Sequence, residues 1–383
     1  MNISKRIIIL SSIVLAACAN RSTASLDEFS EVKYEPQYAS GFMITEADNR
    51  QSSVIEITNP WQGAEDYRQT VFISRNGEMP PATFGGQTVK APVERVVCLS
   101  SSYIAMFDAL GKVENVVGVS GMDFISNEYV TAHRDRIGDV GYDSDIDFEM
   151  MLAMRPDVVL LYGIAGEETR LTSKLGELGI PYMYMGDYVE NSPLGKAEWI
   201  HVVAELTDRC EEADSLFGRI TDDYEELAAK VRAHLYGLHG KMPQVMLNTP
   251  YRDIWFMPSA ESYMVRLIRD AGGETYTPAE KGSASIPVDL EKAYLLASEA
   301  DVWLNTGASN TLSELKAQNP RFAQMPVVRN RRVYNCNRRR TPAGGSDFWE
   351  SGIVHPDIVL RDLVTILHPE IIECEPYYYE QLQ

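Results

Sequence analysis

One long apolar stripe near the middle of the chain constrains the fold more than any other feature. Apolar residues recur every three or four positions over 213–235, namely Ala213, Leu216, Phe217, Ile220, Tyr224, Leu227, Ala228, Val231 and Leu235. This spacing is typical of one face of an α-helix. The pattern predicts a linking helix over 208–236, with Asp208 as its N-cap. Its regular part, about 210–235, would be roughly 39 Å long. This length is enough to join two domains. The alternative is a long packing helix within one domain, which has the same pattern.

Short apolar runs alternate with helical patterns on both sides of this helix. Strand-like runs precede it at 93–99, 116–119, 157–162 and 182–185, and follow it at 245–248, 254–257, 301–305 and 332–336. Strands that alternate with helices indicate βαβ units and a parallel sheet. We therefore predict an α/β protein with two Rossmann-like lobes, each with a parallel central sheet, at 91–207 and 243–383.

Residues 30–90 have a different pattern, with β-like runs and turn residues. The runs 42–44 and 54–57 flank a polar turn that contains Asp48 and Asn49, as in a hairpin, and 67–74 alternates like a further strand. The sequence predicts a small β appendage in front of the first lobe.

The first residues have the form of an export signal. Lys5 and Arg6 precede an uncharged run over 7–17, and small residues stand directly before Cys18. The run is too short to span a bilayer, which needs about 20 apolar residues. We predict a lipoprotein signal peptide over 1–17, a lipid on Cys18 and a tether over 18–29. An ordinary signal with a chance cysteine is the alternative, and either places the mature chain outside the cytoplasm, facing the periplasm.

Composition and motifs exclude several classes of function. The net charge of −20 argues against nucleic acid as a partner, because phosphates require a basic surface. HExxH, GxSxG, GxxxxGK[ST] and GxGxxG are missing, and Asp143, Asp145 and Asp147 lack the glycine and glutamate of a calcium loop. We expect no catalytic residue, no metal ligand and no cofactor. His234, near the end of the long helix, is interpreted as a partner of the helix dipole.

Candidate binding residues follow the predicted strands, because ligands of open α/β sheets lie beyond the carboxyl ends of the strands. In the first lobe these candidates are Ser101, Ser102, Tyr103, Tyr142 and Tyr162, and in the second they are Tyr251 and Trp255. The serines can instead cap a helix, and Trp255 can equally belong to the core.

The loop from Arg338 to Trp349 combines charge with aromatic residues. Arg338, Arg339 and Arg340 are adjacent in an acidic protein, and guanidinium groups pair with anionic, oxygen-rich ligands. We predict that one of the three arginines and Trp349 contact a ligand. A surface loop that neutralises nearby acids is the alternative.

Several segments together resemble a family of transport proteins. The segments "RVVCLSSSYIAMFDALGKVENVVGVS", "RPDVVLLYG", "PLGKAEWI", "SYMVRLIRDAGG" and "GGSDFWESGIVHPDIVLRDLVTILHPE" are similar to solute-binding proteins of ABC importers for ferric siderophores, haem and cobalamin, in a Bacteroidetes-type branch. The likeness covers roughly 93–370. It implies two lobes joined by one long helix, a monomer, and an ABC permease as partner. It also implies one docking acid on each lobe, for which Glu167 or Glu168 and Glu261 are the candidates.

The resulting hypothesis is a lipid-anchored solute-binding protein that captures a metal chelate, preferably a ferric siderophore or related iron complex, without a chemical step. Haem or a corrinoid such as cobalamin is the alternative ligand. A membrane-anchored, chelatase-like enzyme acting on tetrapyrroles is the rival of another class, with His355 as the histidine nearest the arginine loop. A lipoprotein that only recognises a protein partner is a further rival.

Overall fold

The computed structural model describes residues 25–142, 145–163, 168–238, 242–251, 254–276 and 285–383. The predicted signal, Cys18 and the first part of the tether lie outside these ranges. The described residues form, in chain order, an N-terminal sheet, an N-terminal α/β lobe, one long helix and a C-terminal α/β lobe.

The N-terminal sheet has five strands in the order β1 to β5. They are β1 Glu31–Tyr34, β2 Phe42–Glu46, β3 Ser53–Thr58, β4 Arg68–Ser74 and β5 Gln87–Lys90. The first four pair antiparallel, and β5 pairs parallel with β4. The hairpin predicted from the runs 42–44 and 54–57 is the pair β2 and β3. Alternation along β3 buries Ile55 and Ile57 in the same core as the N-terminal lobe.

Buried carboxylates of the N-terminal lobe bind the segment between β1 and β2. Glu198 accepts hydrogen bonds from the backbone nitrogens of Gln37, Tyr38 and Ala39 at 2.7, 2.8 and 2.7 Å, and from the hydroxyl of Tyr34 at 2.9 Å. These donors replace the water that a buried carboxylate loses. The N-terminal sheet is therefore part of the lobe's polar interior as well as of its apolar core.

The N-terminal lobe contains a five-stranded sheet in which every pair is parallel. Its order is β10-β9-β6-β7-β8, with β6 Val96–Cys98, β7 Val116–Val119, β8 Gly138–Asp139, β9 Val158–Leu161 and β10 Tyr182–Tyr184. Its helices are α1 Ser101–Ala109, α2 Glu128–Ala132, α3 Phe148–Met154, α4 Glu168–Leu178, α5 Pro193–Glu198 and α6 Ile200–Thr207. Asp147 caps α3 by accepting a hydrogen bond from the Met150 nitrogen at 2.9 Å, which is a structural use of an acid from the rejected calcium motif.

The long helix α7, Cys210–Leu238, has 29 residues and joins the lobes as predicted. Its apolar stripe, including Phe217, Ile220 and Val231, is buried. Asp208 is not its N-cap, contrary to the prediction: it ends α6 in the left-handed conformation, with φ of 54°, and pairs with Arg75 at 2.8 Å. Within the described ranges, no helix is both long enough and apolar enough to span a bilayer.

The C-terminal lobe has a main sheet of order β13-β11-β15-β16-β17, parallel except for its last strand. These strands are β11 Gln244–Leu247, β13 Glu274–Thr275, β15 Val302–Leu304, β16 Val333–Asn335 and β17 Glu380–Gln381; β12 Ile254–Met257 and β14 Ile286–Asp289 form a separate antiparallel pair. The helices are α8 Tyr263–Asp270, α9 Leu290–Ser298, α10 Leu312–Gln318, α11 Pro326–Arg329, α12 Ser351–Val354 and α13 Pro356–Leu367.

The two lobes are in direct contact as well as being joined by α7. Helix α12 of the C-terminal lobe packs against α1 and α5 of the N-terminal lobe. One apolar core runs through the N-terminal sheet, the N-terminal lobe, α7 and one face of the C-terminal sheet. A second core lies within the C-terminal lobe. This packing fixes the walls of the space between the lobes.

Candidate functional site

A cavity of about 480 Å³ lies where the two lobes meet, and we refer to it as the interlobe cavity. Ser100, Ser102, Tyr103, Tyr162, Asp187, Tyr188 and Lys196 line it from the N-terminal lobe, and Tyr263, Trp349 and Ile353 line it from the C-terminal lobe. Its volume falls within the range of about 300–1,000 Å³ that is usual for small-molecule sites.

The carboxyl ends of three parallel strands form the wall from the N-terminal lobe. Ser100 follows β6, Tyr162 follows β9, and Asp187 with Tyr188 follows β10. Because these strands are neighbours and parallel, their ends meet at one edge of the sheet. The Tyr188 hydroxyl donates a 2.6 Å hydrogen bond to the backbone oxygen of Gly163, which ties the β10 loop to the β9 loop.

Lys196 is a buried cation in this wall. Its Nζ donates a 2.7 Å hydrogen bond to the backbone oxygen of Asp187 and lies 4.6 Å from the centre of the Tyr263 ring. Burial lowers the pKa of Lys196 to about 8, against an opposing attraction from Asp187 and Glu190. The ammonium is therefore placed where it can pair with an anionic ligand. Burial costs the ammonium solvation free energy, which an anion would offset.

Two polar atoms at the cavity have no hydrogen-bond partner in the part of the chain that the structure describes. They are Oδ1 of Asp187 and the hydroxyl oxygen of Tyr263. The other carboxylate oxygen of Asp187 accepts a 3.2 Å hydrogen bond from Ser102 Oγ, and burial raises the pKa of Asp187. Buried polar groups are normally hydrogen-bonded. Both atoms are therefore suited to pairing with polar groups of a ligand.

Four of the predicted binding residues line the interlobe cavity: Ser102, Tyr103, Tyr162 and Trp349. Trp349 is half-exposed and packs edge-to-face on Phe348. Ser101 lies in the first turn of α1 between two lining serines, but it does not line the cavity itself. Tyr142 and Tyr251 are exposed and also lie outside the lining.

The prediction that Trp255 faces a ligand is wrong. Its side chain is 0% exposed, and its Nε1 donates a 2.9 Å hydrogen bond to the backbone oxygen of Leu247. Along β12 every second side chain is buried, and Trp255 packs against Trp303 and Phe322 in the core of the C-terminal lobe. A buried indole whose N–H is paired has no surface to offer a ligand.

The three arginines pair with acids of the same lobe and do not line the interlobe cavity. Arg338 pairs with Glu375, Arg339 with Asp347 at 2.8 Å, and Arg340 with Glu380 at 2.7 Å. This matches the alternative interpretation, a loop that neutralises nearby acids. Arg339 does line a neighbouring groove of about 310 Å³, which also contains His355 and Glu350. Burial raises the pKa of Glu350 to about 7.

The predicted docking acids are only partly described. Glu261 is exposed in the turn before α8. Glu167 lies outside the described residues, and so does the side chain of Glu168, whose backbone begins α4.

Sequence reasoning missed Asp187, Tyr188, Lys196, Tyr263 and Ile353. The strand-end rule could have found the first two, because they follow the predicted strand 182–185 by only a few residues. Lys196 and Tyr263 lie inside two segments of the family resemblance, "PLGKAEWI" and "SYMVRLIRDAGG". A lysine on a short helix gives no sign in the sequence that it is buried.

Comparison with known proteins identifies the fold and the family. Residues 96–339, more than half of the chain, match the family described as periplasmic binding protein. The chain belongs to this family. An uncharacterized lipoprotein of Methanocaldococcus jannaschii, MJ0878, is 27% identical to this periplasmic binding protein over 342 residues, covering 82% of this chain and 78% of the relative.

Solved structures share the two-lobed architecture. A periplasmic haem-binding protein from Pseudomonas aeruginosa superposes with a TM-score of 0.58 at 16% identity, covering 76% of this chain and 98% of that one. A periplasmic solute-binding protein from Veillonella parvula gives a TM-score of 0.56 at 17% identity, covering 75% and 84%. At these identities the likeness establishes the fold, and the ligand must be argued from this chain's own cavity.

Proposed function

We propose that this periplasmic binding protein captures an anionic, oxygen-rich metal chelate, preferably a ferric siderophore or related iron complex, and delivers it to an ABC permease. The observation that carries the proposal is the buried ammonium of Lys196 in an aromatic-lined cavity between two lobes. A cation in such a place favours a ligand that carries negative charge.

The remaining wall of the cavity supports the same class of ligand. Tyr162, Tyr188 and Trp349 provide aromatic surface for flat or aryl-rich groups, while Asp187 Oδ1 can accept a hydrogen bond from a ligand hydroxyl or amide. The protein acts by clamping its ligand, without a chemical step and without a resident cofactor. Because α7 is continuous and the lobes are in contact, modest lobe movement accompanies binding.

Haem and corrinoids remain alternative ligands of the same cavity. A nearly neutral corrinoid would gain little from Lys196, which is why an anionic chelate is preferred. No histidine lines the interlobe cavity among the residues that the structure describes. A tetrapyrrole chelatase would need a histidine or acid beside the metal, and Asp187 is an acid in this lining, so the chelatase remains the alternative of another class.

The proposal includes the setting in which the protein works. Membership of a periplasmic binding family and similarity to a lipoprotein support a site of action outside the cytoplasm, with Cys18 as the lipid anchor. The protein acts as a monomer, and Glu167 or Glu168 with Glu261 docks the permease. Alanine at these three acids should leave ligand affinity intact while transport falls; weaker ligand binding with normal transport would reverse the assignment.

Calorimetric titration tests the ligand class. The chain from residue 19 onward is titrated with a ferric tris-catecholate, a ferric hydroxamate, haem and cyanocobalamin. We expect a ferric chelate to bind most tightly, and Trp349→Ala to weaken it roughly tenfold through lost aromatic contact. Tyr251→Ala, which removes an exposed aromatic outside the cavity, is the matched control and should bind normally. Tight binding of cyanocobalamin alone would replace the iron complex by a corrinoid.

A further inference from the structure

Three side chains with metal-binding atoms meet at the end of the linking helix, far along the chain from the strand ends of the interlobe cavity. His234 is on the last turns of α7, and His368 and Glu370 directly follow α13. One potential ligand atom of each lies within 4.8 Å of the others. None of the three lines the interlobe cavity, so the cluster is independent of the proposed function.

The distances within this cluster suit a small tetrahedral cation. Nε2 of His234 is 3.0 Å from Oε1 of Glu370, and Nδ1 of His368 is 3.3 Å from the same oxygen. Two ligand atoms that are each about 2.0–2.1 Å from a tetrahedral zinc ion lie roughly 3.3 Å apart. The two nitrogen–oxygen distances match this value, and all three ligand atoms lie within 4.8 Å of one another.

The hydrogen bonding of His368 orients it as a ligand. Its Nε2 is 3.0 Å from the backbone oxygen of Gly272, which can only accept, so Nε2 carries the proton. Nδ1 then faces the Glu370 carboxylate, where either a proton or a metal ion can lie between the two ligand atoms. A metal-binding histidine usually donates its other N–H to a carbonyl or carboxylate in this way.

Gly272 admits the ring of His368 to this position. Its φ is +81°, and a Cβ at this residue would lie 2.6 Å from His368 Nε2. His368 is itself buried. Both observations show that the backbone is shaped around a fixed imidazole rather than a surface histidine.

From this geometry we infer a zinc-binding site formed by His234 Nε2, His368 Nδ1 and the Glu370 carboxylate, with water as the fourth ligand. Two imidazoles and one carboxylate are a donor set that zinc takes in proteins. A zinc ion here joins the end of α7 to the end of α13 and so fixes the linking helix on the C-terminal lobe. The ion is distinct from the transported chelate.

Titration with zinc alone tests this inference. The untagged full chain, purified in detergent and stripped with EDTA, is titrated with Zn²⁺ by calorimetry and with Co²⁺ by visible absorption. We expect one zinc per chain, a tetrahedral Co²⁺ spectrum, and a higher thermal unfolding midpoint with zinc than with Mg²⁺, because binding to the folded state stabilises it.

Two ligand variants and one control decide the outcome. His234→Ala and Glu370→Gln should each weaken zinc binding by more than the roughly 10- to 100-fold that loss of a partner beside a metal causes. His133→Ala removes a histidine of the N-terminal lobe and should bind zinc normally. Glu370 is half-exposed, so its variant keeps the test valid if His234→Ala folds poorly. Absence of zinc binding to the unmodified chain, or unchanged affinity in both ligand variants, would overturn the site.

Discussion

Nζ of Lys196 donates a 2.7 Å hydrogen bond to the backbone oxygen of Asp187, and both residues are buried in the wall of the interlobe cavity. The hydrogen bond joins α5 to the loop that follows β10. It also holds the Lys196 ammonium near Asp187, whose Oδ1 has no hydrogen-bond partner in the described chain.

The affinity for an anionic chelate should fall as the pH rises through about 8. Above the lowered pKa of Lys196, about 8, the ammonium loses its proton and with it the attraction to an anion. One linked proton gives at most a tenfold loss of affinity per pH unit. Calorimetry from pH 6.5 to 9.5, with a chelate of constant charge, measures this. Lys196→Met should bind more weakly and without this pH dependence, and a parallel decline in the variant would contradict the role of the lysine.

The contribution of Lys196 to the stability of the protein should rise with pH between about 8 and 10.5. In this window Lys196 is protonated in the unfolded chain, whose pKa is 10.5, and neutral in the folded one. Stability increases wherever the unfolded state binds more protons. The free energy of unfolding of the wild type relative to Lys196→Met should therefore increase by about 3 kcal/mol across the window. Urea unfolding at pH 8 and 10.5 checks it, and a flat difference would show that the lysine is solvated.

Alanine at all three of Arg338, Arg339 and Arg340 should leave the affinity for the chelate within a few-fold. The sequence predicts that one of the three arginines contacts the ligand, but each arginine is paired with an acid and lies outside the interlobe cavity. Because Lys196 is buried, we expect only a weak salt dependence, equal in the variant and the wild type. The expected loss is in stability, about 1–3 kcal/mol, since partly exposed pairs contribute up to about 1 kcal/mol each. Titration at two salt concentrations distinguishes the two interpretations.

Glu198→Gln should loosen the N-terminal sheet. The amide nitrogen of glutamine cannot accept hydrogen bonds, so backbone nitrogens among residues 37–39 lose their acceptor. Each buried donor left without a partner costs about 1–3 kcal/mol, and we expect a total loss of about 2–4 kcal/mol in unfolding free energy. Glu56→Gln changes an exposed carboxylate on β3 and is the control. Equal stability of the two variants would argue against the anchoring role of Glu198.

Cys18→Ser should abolish membrane attachment. Without the thiol no lipid can be added, and the chain should remain unprocessed or be found in the soluble fraction. Cell fractionation with radiolabelled palmitate measures this, and Cys374→Ser is the control. A Cys18→Ser protein of mature size in the membrane fraction would show that another segment attaches the chain.

Local patterns predicted the architecture well, because each strand and helix carries its own periodicity. The stripe over 213–235, the two α/β lobes and the hairpin of the N-terminal sheet all follow from residues that are close in sequence. Local patterns predict the boundary between two consecutive helices less well. Asp208 is a residue type that often caps the N-terminus of a helix. In the structure it is the C-cap of α6 and pairs with Arg75, more than 130 positions away.

The site was harder to predict because it depends on contacts between distant segments. The run 254–257 predicts one more strand of the α/β alternation, with Trp255 near a ligand, whereas β12 pairs with β14 and the indole is buried in the core. The sequence around Lys196 gives no sign of burial, which results from the packing of α8, α12 and other elements against α5. Burial of a charge is decided by tertiary packing, for which no local pattern exists.

The apolar core that runs from the N-terminal sheet through α7 into the C-terminal lobe should also determine how well the chain withstands proteases outside the cytoplasm. Segments that share one core tend to open together rather than piece by piece. A protease that cuts transiently opened chains then encounters few partly open forms, and degradation follows the small population that is open as a whole. Within the described residues the four cysteines are free thiols. Resistance to digestion in this protein thus rests on shared packing, without covalent cross-links between those cysteines.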